Sequence, residues 1–247
     1  WQSRINASTL APMSASMAAD ANLLDHPMML DHTNLAAHEV AEVLGDIHPL
    51  VEQLGSTEGL VTLNTVSAAL HLQRIETPAA FCSFLGHYRD QILLPVELPV
   101  ITRAFWHASR NETRELIAFD QELAGRSIIR ELATASRRVG RSQLRRLRPL
   151  RDLRLVRRYL AAVDAEKAHG WHTLVYGVTL ALFSLPLRQG LWAYAQQTLR
   201  GFIHSASAPL GLTEDFGLAL LDEQCEGLPQ AIDEVITRHE GALPKPD

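Results

Sequence analysis

Residues 173–187 read TLVYGVTLALFSLPL, the most apolar stretch of a 247-residue chain. The run is shorter than the roughly 20 residues that a membrane-spanning helix needs, and Pro186 interrupts it. A helix that is hydrophobic all round belongs in the middle of a globular core. The segments on either side must therefore supply the amphipathic elements that cover it.

Those segments read as helix after helix. Downstream, helices are expected at 187–206, 213–225 and 228–240, with Pro186, Pro209 and Pro229 at or near their ends. Pro209 is expected to end the aromatic-rich helix before it, because the residue preceding a proline disfavours the helical basin. Upstream, helices are expected near 59–72, 97–109, 112–124, 127–147 and 152–168, and over 35–54 with Asn34 as N-cap. Thr77-Pro78 caps and starts another, stopped by Pro95. VELPVIT, 96–102, is the one strand-like stretch, and it equally suits a helix start. The expected fold is all-α: a single-domain bundle of about ten helices over 35–240, between a mobile N-terminal arm at 1–34 and a C-terminal tail at 241–247.

Composition agrees with a soluble globule. Hydrophobic residues make up 47% of the chain and the net charge is −5, which excludes a disordered tail protein. Two cysteines, Cys82 and Cys225, cannot build a disulfide framework. No charged n-region followed by an apolar h-region is present, so a cytoplasmic protein with no membrane contact is expected.

Charge is distributed unevenly. Residues 126–158 hold twelve arginines against Glu131 and Asp152, a local charge of +10 that leaves −15 for the remainder. Arginine forks match phosphate oxygens, so one reading is a basic-patch helical nucleic-acid-binding protein. Ile128, Leu132, Val139, Leu144, Leu147, Leu150 and Val156 are interleaved with the arginines, as amphipathic helices require. No docking motif for nucleic acid accompanies them. An acidic partner surface, or pairing within the fold, is the expected use, with no nucleic acid bound.

Catalytic signatures are missing. There is no G-x-S-x-G elbow, Gly-rich phosphate loop or H-E-x-x-H. Asp120 and Glu122 stand two apart, do not face each other on a helix, and read as a solvated face. Glu166, His169 and His172 have spacing that suits one helix face. His26, His32 and His38 with Asp25, Asp31 and Glu39 form a second, looser set. Neither set offers four well-spaced ligands, so no tightly held metal and no cofactor is expected. Trp106, Trp171, Tyr176, Trp192 and Tyr194 read as core or interface anchors.

Three blocks carry a resemblance to the UreF-type urease accessory proteins. RELATASRRVGRSQL, 130–144, is similar to that family's R-E-L-x-x-x-S-x-x-M-G-R-S-L-L helix through Arg130, Glu131, Ser136, Gly140, Arg141 and Ser142, with Val139 in place of methionine. WHTLVYGVTLALFSLPLRQGLWAYAQQTL, 171–199, resembles the family's H-H-P-V-x-F-G start and aromatic-rich helix through His172, Gly177, Pro186 and Tyr194. APLGLTEDFGLALL, 208–221, resembles x-P-L-G-Q-T-x-x-Q-x-L-L, with Leu212 where glutamine is usual. The family's N-terminal signature, D-S-x-x-P-x-G-x-F-x-H-S-x-G-L-E, should fall near 54–70, where this chain has LGSTEGLVTLNTVSAAL.

The resemblance implies an all-α, non-catalytic scaffold that dimerises. It implies binding to a UreD/UreH-type accessory protein and to a nickel-carrying UreG-type GTPase, so that GTP hydrolysis is coupled to nickel insertion into apo-urease. Arg137, Arg141 and Tyr194 are the partner-binding residues expected from the first two blocks, and Pro209, Leu210, Gly211 and Thr213 those expected from the third. Gly211 there permits a tight turn, and Thr213 is placed to cap the next helix by accepting from the amide of Asp215 or Phe216.

Overall fold

Helices account for every regular element of the computed structural model, which describes residues 55–56, 63–126, 132–150 and 152–241; no strand occurs among them. In chain order they are α1 (Leu63–Ala69), α2 (78–109), α3 (Thr113–Leu123), α4 (Ala133–Arg146), α5 (Arg154–Asp164), α6 (His172–Leu182), α7 (Leu187–Leu210), α8 (Glu214–Cys225) and α9 (Leu228–Gly241). A 3₁₀ turn, Arg148–Leu150, joins α4 to α5. The expected arm at 1–34, the helix over 35–54 and the tail from 242 lie outside the described residues, as do 127–131 at the start of the expected 127–147 helix.

The all-α reading holds, with corrections of detail. Pro95 does not stop a helix. It lies inside a π-helical segment, Arg89–Glu97, that joins Pro78–Tyr88 to Leu98–Ser109 as one continuous rod. A proline ring clashes with the carbonyl four residues back, and a wider i→i+5 turn relieves that clash; the Leu98 amide duly donates to the Leu93 carbonyl. With that merger, and with α1 only two turns long, eight longer helices stand among the described residues, against about ten expected over 35–240. VELPVIT falls wholly within α2, so its helical reading is the right one. Pro209 does not end its helix either: α7 runs one residue beyond it. In a last turn a proline forfeits only one amide, and Gly211 (φ 63°) ends the helix instead.

The apolar run at 173–187 behaves as its composition demands. Every residue from Gly170 to Leu180 is buried, so α6 is the central rod of the core. It packs most extensively on the Leu98–Ser109 half of α2, and next on α4. Gly177 makes the first contact possible, because a Cβ there would run into the Ile101 carbonyl. α7 lies over α8, α9 and α1, and is pinned to α9 by the bidentate Arg188–Asp233 pair at 2.6 and 2.7 Å. Phe84, Tyr88 and Phe202 pack edge-to-face where α2 meets α7.

The arginine-rich helices divide as expected. Val139, Leu144, Leu147 and Val156 are buried, whereas Arg138, Arg145, Arg146, Arg148, Arg154, Arg157 and Arg158 are exposed. Ile128, Arg130 and Arg151 lie outside the described residues. Gly140 is the contact point of α4, and a Cβ there would strike the Gly170 carbonyl and stand 2.7 Å from the His172 nitrogen. Both obstacles are backbone and cannot rotate away. Gly140→Ala should therefore destabilise the protein by roughly 1–3 kcal/mol, read as a lower urea midpoint at unchanged slope.

Candidate interaction surface

The turn between α7 and α8 is built tightly. Gly211 adopts the left-handed conformation, its amide reaches the Ala208 carbonyl at 3.4 Å, and the Leu212 amide reaches the Ser207 carbonyl at 2.9 Å. This is the double closure of a Schellman motif, and a residue with a Cβ would adopt it only under strain. Thr213 then caps α8, its hydroxyl accepting from the Phe216 amide at 3.2 Å. Pro209, Gly211 and Thr213 are exposed and Leu210 is half-buried. Just beyond, Phe216 (40% exposed) and Leu218 (56% exposed) present large apolar side chains to solvent from α8. Pro209, Leu210, Gly211 and Thr213 thus share one rigid, accessible corner with an apolar flank.

Arg137 and Arg141 occupy a different place. Both are half-buried on α4, over the loop that leads into α6. The Arg137 guanidinium stands over the Trp171 ring at 5.9 Å, and Arg141 Nε donates to the His169 carbonyl at 2.9 Å. Arg141 therefore clamps its own chain. Tyr194, expected among the partner-binding residues, is only 1% exposed, and its hydroxyl meets His172 Nε2 at 2.8 Å. It is a core residue and presents no surface from this chain.

The loop before α6 also overturns two expectations. Asp120 is not on a solvated face: it is fully buried and accepts from the Tyr159 hydroxyl (2.7 Å), the His169 amide and the Gly170 amide (3.0 Å). Its own carbonyl accepts from Trp171 Nε1 at 2.8 Å. Glu122 does face solvent, and pairs with Arg103 and Arg126. Glu166, His169 and His172 do not share a helix face, since Glu166 and Gly170 have positive φ and His172 is the first residue of α6. Among the described residues no three His, Cys, Asp or Glu side chains converge as a metal site would require.

Sequence reasoning passed over a buried polar chain. The His172 amide donates to Ser136 Oγ (3.3 Å), and the same hydroxyl is hydrogen-bonded to His172 Nδ1 (2.8 Å). His172 Nε2 in turn lies 2.8 Å from the Tyr194 hydroxyl, which also hydrogen-bonds Glu97. Tyr88 donates to Glu97 Oε1 at 3.0 Å. Burial holds His172 neutral, with a pKa lowered to about 4, and raises Tyr88 and Tyr194 well above the usual phenol range. A half-signal was present: Glu97 sits four residues from both Leu93 and Ile101, on the apolar stripe of its helix.

The UreF family model matches residues 75–212, more than half of the chain. The match begins after the divergent stretch at 54–70 and closes at Leu212, inside the α7–α8 corner. No curated protein is significantly similar to the chain. No described helix is long and apolar enough to cross a membrane.

Two outcomes follow for the junction that seats α6. Asp120→Ala strands two amides and a hydroxyl in the core and should cost about 3 kcal/mol or more in chemical unfolding. His172 has a folded pKa below its unfolded value, so its stabilising contribution is complete above pH 6.5 and is lost as pH falls through about 4. Unfolding midpoints followed from pH 7 to pH 4 should fall less steeply for His172→Gln than for the parent protein.

Proposed function

The chain belongs to the UreF family, and from that premise we propose that it is a non-catalytic scaffold of urease maturation. It binds a UreD/UreH-type accessory protein and the UreG-type GTPase, so that GTP hydrolysis is coupled to nickel insertion into apo-urease. On this reading it works in the cytoplasm as a homodimer, and nickel is cargo of the assembly.

One observation supports the docking site above all. The corner formed by Pro209, Leu210, Gly211 and Thr213 is rigid through two independent caps, and it is flanked by Phe216 and Leu218, which are exposed although apolar. Apolar side chains on a pre-ordered turn favour association, because little conformational entropy remains to be lost on binding. Interfaces draw most of their energy from a few such anchors. The exposed arginines of α4 and α5 are the complementary device, suited to steering an acidic partner into place. Arg137 borders that face and keeps its proposed contact role, whereas Arg141 contributes by holding the loop beneath.

The experiment is a binding titration of the UreD-type protein against Leu210→Asp and Phe216→Asp, with helicity and melting temperature measured on the same samples. Phe216 is exposed, so its variant should keep the parent melting temperature. Both variants should lose at least about tenfold in affinity, the equivalent of a 1.4 kcal/mol anchor. Unchanged affinity in the folded variants shows that this corner only connects α7 to α8.

A further inference from the structure

A pocket of about 120 Å³ opens between α4, α5 and the loop that follows α5. That is several times the roughly 10–15 Å³ that one water needs. Its floor is apolar, made by Leu144, Leu160 and Val163. On the α4 side stand Arg141 and Arg145, four residues apart and so on one helix face. Opposite them stand Asp164, the last residue of α5, and Glu166.

The two arginines are not spent within the fold. Arg141 gives its Nε to the His169 carbonyl, which orients the guanidinium and leaves its two terminal nitrogens. Among the described residues, neither Arg141 nor Arg145 forms an ion pair. The facing acids are placed elsewhere. Asp164 pairs with Arg148 at 3.9 Å. Glu166 sits in a left-handed turn (φ 56°), closed by its amide on the Val163 carbonyl (3.1 Å) and by the Lys167 amide on the Ala162 carbonyl (2.8 Å). The pocket is therefore dipolar and fixed in shape, cationic along α4 and anionic along the end of α5.

A guanidinium whose free end faces a pocket matches one carboxylate bidentately. The apolar floor suits the methylenes that carry such a carboxylate. Asp164 and Glu166 select against a dianion or a nucleic-acid backbone, which would bring several charges against two fixed carboxylates. They favour an N–H donor beside the incoming acid. We propose that this pocket seats an acidic side chain of the UreG-type GTPase, with its carboxylate on Arg141 and Arg145 and a neighbouring N–H donor on Asp164 and Glu166. The choice of partner rests on the scaffold reading above, since a scaffold that holds two proteins at once needs two surfaces. The 209–213 corner belongs to α7 and α8, and α8 packs on α7 and the first half of α2. The pocket is built by other helices: α4 packs on α6, and α5 on α3 and α4.

Exposed charges steer encounter and act on the association rate, whereas a charge that seats a partner's acid acts on the dissociation rate. The test measures both rates for the GTPase on the full chain carrying Arg145→Gln, beside Arg157→Gln. Arg145 is exposed and holds no part of the fold; Arg157 is an exposed arginine of α5 outside the pocket. Dissociation should quicken at least about tenfold for Arg145→Gln and less than about threefold for Arg157→Gln, with both melting temperatures at the parent value. Without any partner, acetate should shift the methyl resonances of Leu144, Leu160 and Val163 saturably, inorganic phosphate at equal ionic strength should do so less, and Arg145→Gln should lose the acetate response. Equal effects of the two variants assign the loss to overall basic charge and overturn the proposal. An unchanged dissociation rate in Arg145→Gln, no saturable acetate response, or a stronger response to phosphate overturns it as well. A parent protein that does not bind the GTPase contradicts the scaffold reading and the choice of partner with it, while the acetate titration still decides whether the pocket takes a carboxylate.

Discussion

The carboxylate of Asp120 holds the place where the fold is joined. Three donors from α5 and the 165–171 loop converge on it, and its carbonyl takes the Trp171 indole. These bonds fix where the loop ends and α6 begins. On the other side of the loop, Gly140 admits its backbone and Arg141 caps the His169 carbonyl. The central helix is thus aimed by a polar clamp as well as by its apolar packing. Hydrophobic burial supplies most of the stability but has no direction, and directed hydrogen bonds decide which of several compact arrangements is reached.

That clamp also explains how function and structure share the family blocks. Ser136, Gly140 and Arg141 of the first block, and His172, Gly177 and Tyr194 of the second, all act inside this chain as hydrogen-bonding or close-contact residues. The α7–α8 corner of the third block is different in kind. Its turn is equally well closed, yet Phe216 and Leu218 next to it remain exposed. Among the described residues of the three blocks, that one sets a rigid turn beside exposed large apolar side chains.

Helix existence was legible from periodicity, and the central position of 173–187 from composition alone. Pro95 misled because a proline within a helical pattern reads as a stop, whereas here the backbone widens to a π segment and continues. Pro209 misled in the same way, since the rule about residues before proline is weaker in a last turn than the pull of a glycine closure two residues on. Asp120 was read in isolation with Glu122. Its place in the stripe Leu116, Phe119, Asp120, Leu123 pointed inward, and the buried acid is where a polar clamp had to be. His172 and Tyr194 are far apart in the chain, and spacing along one helix carries no information about their meeting. Asn64 and Ser67 tie α1 to residues 73–75: the Asn64 side-chain carbonyl accepts from the Ile75 amide and the Ser67 hydroxyl donates to the Gln73 carbonyl.

A scaffold is tested most directly by mapping where it is touched. Amide hydrogen exchange of the full chain, alone and in complex with the UreD-type protein, locates the contact without any substitution. Protection concentrated at the end of α7, the 209–213 corner and α8 is the result this account predicts. A complex that forms while those amides exchange at the free rate, with protection elsewhere, would contradict it.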